Sequence, residues 1–308
     1  MHMIQEHPYK HTTWINVSRP THDEVDHLMQ IYGFAERIAE EMLSPSAHAR
    51  VDAYQDYVYV VLHFPQLREN HKGLTRVREY EIDCIIGPDF LITSHFHDEH
   101  DVLFAFEKYI ETAHLMDREA SNPDGGFLFY ELMALFYGHI ASYQHSISQE
   151  LALIEEDIFK DKEDKMVKKL ALANRRLLDM KRSLRSHAMT LRDLREYAGT
   201  VLGKDFKKRM TLLIKNHNEI EHLQRDNKEI LDDLRTTNDL LLNSKTNHIM
   251  KILTIVSFVT IPVIIGMEIL KGEIEAIKHT PISIGIVLFF TLLVSISLWR
   301  FFKRKRWV

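Results

Sequence analysis

The chain has 308 residues, 45% hydrophobic and 27% charged, which is ordinary for a globular protein and leaves room for one large or two modest domains. Its 39 Lys and Arg against 44 Asp and Glu give a formal charge of −5, which argues against a general nucleic-acid binder. One cysteine, Cys84, excludes an intramolecular disulfide framework and any multi-cysteine zinc or iron–sulfur site.

Residues 12–130 alternate strand-like and helix-like segments. Trp14–Val17 is a short strand signal, and Thr21 with Glu24 forms a capping-box pattern that opens a helix over Asp23–Tyr32. Tyr57–Leu62 and Tyr80–Ile86 are β-branched and aromatic runs, and Phe90–Ser94 follows the turn-like Gly87-Pro88-Asp89. Asn122-Pro123-Asp124-Gly125-Gly126 is the strongest breaker and marks a boundary near residue 125. After it the pattern is helical from Phe127 to about Asp161 and from Glu163 to about Leu202, with Gly199 and Gly203 as punctuation. A third helix starts at Asp205 and meets no breaker until Pro262. Its apolar positions Leu213, Ile220, Leu223, Ile230, Leu234 and Leu241 lie close to a 3.5-residue period. A helix this long needs neighbours, so it implies a bundle or an oligomer.

The mean hydropathy of −0.21 hides a split. Ile252–Met267 and Thr280–Trp299 carry no charge over 16 and 20 residues. The second meets the roughly 20-residue requirement of a spanning helix, and the first extends a helix that begins upstream. The alternative for each is a buried core helix. Twelve residues, Glu268–His279, join them, so a hairpin with both chain ends on one side is expected. Phe301–Val308 carries four cations, which places that end and the large N-terminal part in the cytoplasm. No secretory signal pattern is visible in residues 1–10. Residues 249–308 sum to +5 and residues 1–248 to −10, an acidic body on a basic membrane collar.

Together these residues are similar to the CorA superfamily of divalent-cation channels. Trp14–Val17 with Asp23-Glu24 resembles the family's opening strand and helix, Val51–Pro65 its strand block and Phe90–Thr93 its last strand. Ser244–Thr254 looks like the start of the pore helix, Pro262 lies where the pore proline does, and Lys303–Trp307 matches the basic tail. The resemblance implies an α+β cytoplasmic domain, long helices and a two-span α-helical transmembrane hairpin, arranged as a funnel. The expected parts are a cytoplasmic α/β domain over 1–125, an antiparallel helical pair over 126–204, a stalk helix over 205–248 and the hairpin with its tail over 249–308. It implies a homopentamer in the bacterial inner membrane, in contact with lipid and passing divalent cations, Mg²⁺ or alternatively Co²⁺, Ni²⁺ or Zn²⁺, without nucleotide or resident cofactor.

Positions at pore-like spacing are Thr236, Leu240, Asn243, Asn247, Met250, Leu253, Ser257, Ile261 and Ile264. By resemblance Asn247 makes a polar ring, and Met250 with Leu253 makes a hydrophobic constriction. Their alternative role is interhelical core. The family's acidic ring falls at Thr236, with Asp233 and Glu229 one and two turns deeper. The Gly-Met-Asn signature is absent, and the nearest string is Gly266-Met267-Glu268, six residues past Pro262 at its end. Either Glu replaces Asn at the mouth, or Gly266-Met267 is coincidence. A glutamate ring would be a strong field for any cation, discriminating less than neutral carbonyls. Glu273 and Glu275 share that loop with Lys271 and Lys278. Glu41 resembles a regulatory metal-binding acid, although its stalk partner would fall near Leu212, which cannot ligate. His95, His97 and His100, among Asp98, Glu99 and Asp101, offer a Zn²⁺-, Ni²⁺- or Co²⁺-type donor set or an exposed polar loop. No hydrolase, transferase or nucleotide-binding pattern appears, so no enzyme is expected. Two other readings stay open: a membrane scaffold that lost conduction, and a tail-anchored enzyme.

Overall fold

The protein is described by a computed structural model covering residues 4–69, 75–96, 101–115, 123–160, 162–270 and 281–304. The chain starts with β1 (Ile4–Tyr9), β2 (Thr12–Ser18), α1 (His22–Tyr32), α2 (Glu36–Glu41), β3 (Arg50–Ala53), β4 (Val58–Glu69), β5 (Thr75–Ile86), β6 (Phe90–His95) and α3 (Asp101–Leu115). The strands form one mixed sheet in the order β1-β2-β6-β5-β4-β3, with β2 and β6 parallel and every other pair antiparallel. α1 starts as its sequence dictates: the Glu24 carboxylate accepts from the Thr21 backbone N–H at 3.1 Å and from its hydroxyl at 2.9 Å. It ends on Gly33, whose φ of +69° an L side chain rarely adopts.

Each face of the sheet is covered. Ile15, Val17, Tyr59, Val61, Ile85 and Ile92 pack with α1 and α2 residues such as Val25, Leu28 and Ile38. On the other face Trp14 meets Phe106 of α3 edge-on at 4.8 Å, and its indole N–H donates to Thr93 at 2.9 Å. Every residue of β6 is buried, as befits an inner strand covered on both faces. β1 and β3, the two edge strands, carry half-buried patterns; β3 falls within the expected strand block Val51–Pro65, whereas β1 has no counterpart among the expected elements. Asp83 is buried, with the Tyr59 hydroxyl donating to it at 3.0 Å. Burial first, then the charge of Glu81, pushes its carboxyl well above the usual range.

The helices follow: α4 (Gly125–Ile158), α5 (Glu163–Ser183), α6 (His187–Asp193), a π-helical segment (Leu194–Ala198), α7 (Gly199–Val201), α8 (Gly203–Leu270) and α9 (Pro281–Arg304). Asp124 caps α4 through its side chain to Phe127 N–H at 2.6 Å. The second helix, expected unbroken to Leu202, is divided instead: α5 stops at Ser183, and a turn lets α6 bring His187 against β4. α8 begins at Gly203, two residues ahead of the expected start, on a φ of +87°. Pro262 does not end it.

Residues 1–159 and 165–234 form one compact unit, and residues 160–164 with 235–308 form another. In the first unit α8 buries Phe206, Met210, Leu213, His217, Ile220, Gln224, Asn227, Leu231 and Leu234. The spacing alternates four and three without a slip, a strict heptad. Three members are polar, and two of them are paired across helices. Asn227 donates to the backbone carbonyl and side-chain oxygen of Gln144 on α4, at 2.9 and 3.0 Å. Gln224 donates to the Leu177 carbonyl on α5 at 2.9 Å. Leu213, Ile220 and Leu234 sit in the seam as expected, whereas Leu223 and Leu241 are half-buried and Ile230 is exposed.

Two outcomes follow. Asn227→Ala strands both Gln144 acceptors and lowers the unfolding free energy by about 1–3 kcal/mol, read by denaturation of the detergent-solubilised chain; an unchanged midpoint would refute the amide pairing. A carboxyl whose folded pKa is raised loses stability as pH climbs above the unfolded value of roughly 4. Asp83→Asn therefore flattens the stability profile between pH 5 and 8 and leaves the variant more stable than the parent at the upper end.

Candidate functional site

The second unit contains two helices long and apolar enough to cross a membrane, the C-terminal part of α8 and α9. Only 11% and 6% of their apolar stretches are buried, so neither is a core helix of this chain. They pack against each other as an antiparallel pair. Phe258 meets Phe302 at 6.1 Å between ring centroids, and the Ser295 hydroxyl donates to the Val259 carbonyl at 3.3 Å. Pro262 has no N–H, so the Phe258 carbonyl has no donor one turn on, and the neighbouring Val259 carbonyl takes its extra partner from α9. Gly266 lies so close to α9 that a Cβ there would stand 2.3 Å from Thr291 Cγ2. Upstream, Lys245 of α8 pairs with the buried Glu163 at 3.4 Å.

The covered or half-covered positions of this part of α8 are Ile255, Val259, Pro262, Gly266 and Ile269, together with Thr254. Taking roughly 100° per residue, Met250, Leu253, Ser257, Ile261 and Ile264 fall within about 40° of one direction, and the covered stripe centres about 160° away. Glu268 shares the direction of Ile261 and Ile264. All nine predicted pore positions, from Thr236 to Ile264, are exposed in the single chain. They average 3.5 residues apart, so on a straight helix their strip drifts by roughly 20° per heptad, the drift that supercoiling among neighbours removes. Gly266, named with the mouth from its sequence context, belongs instead to the α9 contact, because only the missing side chain permits that approach. Met267 and Glu268 remain exposed.

The other candidate ligands do not converge. Glu41 is ion-paired with Arg37 at 3.2 Å and with Arg50, so two guanidinium groups already face its carboxylate. Leu212 is exposed. His95 ends β6 wholly buried, 5.7 Å from the Tyr80 ring, not in an exposed loop. His97 and His100 lie outside the described residues, as do Lys271, Glu273, Glu275 and Lys278. Among the described residues no group of three or more His, Cys, Asp or Glu side chains is arranged to hold a metal ion. Asp233 and Glu229 are exposed on α8. Sequence reasoning missed Thr291 and Ser295, small polar residues in an otherwise apolar span, and the buried histidines of α6 and α8.

An α+β domain, long helices and two candidate spans define the class, a two-span α-helical membrane protein with a large extramembrane body. The chain belongs to the CorA-like Mg²⁺ transporter protein family, whose model matches residues 9–304. It is 18% identical over 299 residues to the cobalt/magnesium transport protein CorA of Thermotoga maritima, covering 96% of this chain and 83% of that protein. Its fold is similar to the complete structure of the CorA magnesium transporter from Methanocaldococcus jannaschii, with a TM-score of 0.79 at 19% identity over 97% of this chain and 92% of that one. It is also similar to the full-length CmaX protein, with a TM-score of 0.72 at 15% identity over 96% and 89% of the two chains.

The α8–α9 contact predicts a steric pair. Gly266→Ala lowers stability by about 1–3 kcal/mol through overpacking. Thr291→Ser, which removes the clashing Cγ2, recovers most of that loss in the double variant; a purely additive pair in detergent unfolding would refute the close approach.

Proposed function

We propose that copies of this chain assemble around α8 as a homopentamer in the inner membrane and conduct divalent cations passively along the axis. The supporting observation is the disposition of α8: α9 covers one stripe, and the opposite side carries exposed Met250, Leu253, Ser257, Ile261 and Ile264, with Asn247 exposed one turn upstream. Two helices cannot enclose a pore, so such a pathway needs further copies. The Thermotoga relative is named for cobalt and magnesium transport and the Methanocaldococcus one for magnesium, which supports a divalent cation as substrate.

In this reading each residue type has a task. Asn247 amides form a ring that contacts the hydrated ion. Met250 and Leu253 form the constriction that closes by dewetting. Glu268 stands in the direction of the pathway where a neutral amide would suit a hydrated Mg²⁺, so its carboxylates attract cations strongly and separate them weakly. The reading is therefore of a pathway less selective for Mg²⁺, open to Zn²⁺ as well. The hairpin puts both ends on the cytoplasmic side with Lys303 and Arg304, and the membrane potential supplies roughly 4.6 kcal/mol per divalent ion per 100 mV.

Liposomes holding the protein and an entrapped Mg²⁺- or Zn²⁺-sensitive dye test this. Metal entry is expected, and Asn247→Leu abolishes it while leaving the oligomer intact by light scattering. Intact pentamers with no flux of any divalent ion would favour a non-conducting scaffold, and a monomer in detergent would remove the axial pathway altogether.

A further inference from the structure

Two histidines are buried where α6 packs on β4 and where α8 packs on α4 and α6. β3 begins at Arg50, opposite Val61, so the carbonyl of His63 on that edge of β4 lies beyond the reach of its neighbouring strand. His187 of α6 takes it, with Nε2 at 2.9 Å. A carbonyl only accepts, so Nε2 carries the hydrogen and Nδ1 keeps its lone pair. The Tyr137 hydroxyl of α4 lies 2.8 Å from Nδ1 and donates to it. The neutral ring thus satisfies both partners in a site where His187 and Tyr137 are almost wholly buried. His217 of α8, also buried, stacks on it with centroids 6.1 Å apart and planes 21° from parallel, and Phe64 of β4 meets His187 edge-on at 4.8 Å.

The surroundings disfavour charge. Burial first, opposed by the hydrogen bond to the His63 carbonyl and helped by the charges of the His217 and His63 rings, brings the His187 imidazole down to about 3. Burial also lowers His217, against the opposing pull of Glu221 and the Leu184 carbonyl and with the help of Arg192 on α6. The His63 ring, on β4, faces Glu81 and the Ser46 carbonyl and is raised by them, so it titrates in the opposite sense.

We propose that His187 and His217 form a proton-operated latch between the sheet and the first turns of α8: neutral rings hold α6 and α8 against β4 and α4, and proton uptake releases them. Because α8 continues to Leu270, the latch acts on the helix that bears Asn247 and Met250. The latch is independent of the conduction reading, since its own opening reports it.

The sign follows from the lowered values. The closed form has its full advantage above the unfolded histidine value of about 6.5 and loses it as pH falls below that. At pH 5.5 release of the His187 ring favours the open form by roughly tenfold, and release of His217 adds to it in the same direction. His63 works the other way, but within the β4–β5 pair and not on α8.

Hydrogen exchange of the full chain in detergent at pH 7.5 and 5.5, corrected for intrinsic rates, reads this directly. Protection over 187–201 and 203–220 should fall by roughly tenfold or more at the lower pH, while β4 and β5 keep theirs. In the His187→Gln/His217→Gln variant, whose amides still donate and accept but do not titrate, the same segments should be insensitive to pH. Unchanged protection in the parent, or an equal fall in the double variant, overturns the latch. If the double variant does not fold, titration of the His187 ring by NMR decides. A ring that titrates near 6.5 with the helices still protected overturns it, and a ring silent until they open supports it.

Discussion

One helix has to satisfy two environments, and most of the structure answers that constraint. Over residues 206–234, α8 offers a seam with a strict seven-residue repeat, filled by apolar side chains and by amides that α4 and α5 complete. Over residues 250–269 it offers apolar surface almost all round, with one stripe covered by α9. The first half is stable within a single chain because its seam is largely apolar and its two amides, Gln224 and Asn227, are paired across helices. The second is stable only where hydrocarbon or further copies replace water.

Much of the fold was legible because it rests on local chemistry. The Thr21–Glu24 box, the Gly87-Pro88-Asp89 turn and the buried run Phe90–Ser94 each declare themselves within a few residues. The heptad of α8 was only half visible, since His217, Gln224 and Asn227 occupy seam positions that a hydrophobic pattern reads as gaps. Their partners lie 47 and 83 residues away for Gln224 and Asn227, beyond the reach of periodicity. The division of α5 from α6 was hidden for a similar reason: what fixes it is a carbonyl of β4, 124 residues distant from His187. The edge strand β1 escaped notice because a half-exposed strand has weak alternation.

Candidate site residues divide along the same line. Spacing alone put Met250, Leu253, Ser257, Ile261 and Ile264 on one side of α8, since a helix converts sequence interval directly into angle. The Gly266-Met267 string left two readings of Gly266 open, because a glycine says that something approaches without saying from which direction; here the approach is from Thr291 of α9. Glu41 was singled out by resemblance and His95 by side-chain type, and neither reveals that arginines face one and a tyrosine ring the other. At 18–19% identity to the CorA relatives, the backbone arrangement carries over while the chemistry at residue 268 has to be judged from this chain.

The amide pair of Asn227 and Gln144 limits how α8 can move. Sliding α8 along α4 by one heptad would bring Leu234 to the amide of Gln144 and carry Asn227 into an apolar layer, leaving buried donors and acceptors empty on both sides. Rotation about the helix axis would break the same contacts. A tilt pivoting on this layer keeps them. The paired amides therefore fix the register and the azimuth of α8 against α4, and leave tilt about this layer as the displacement that keeps both hydrogen bonds.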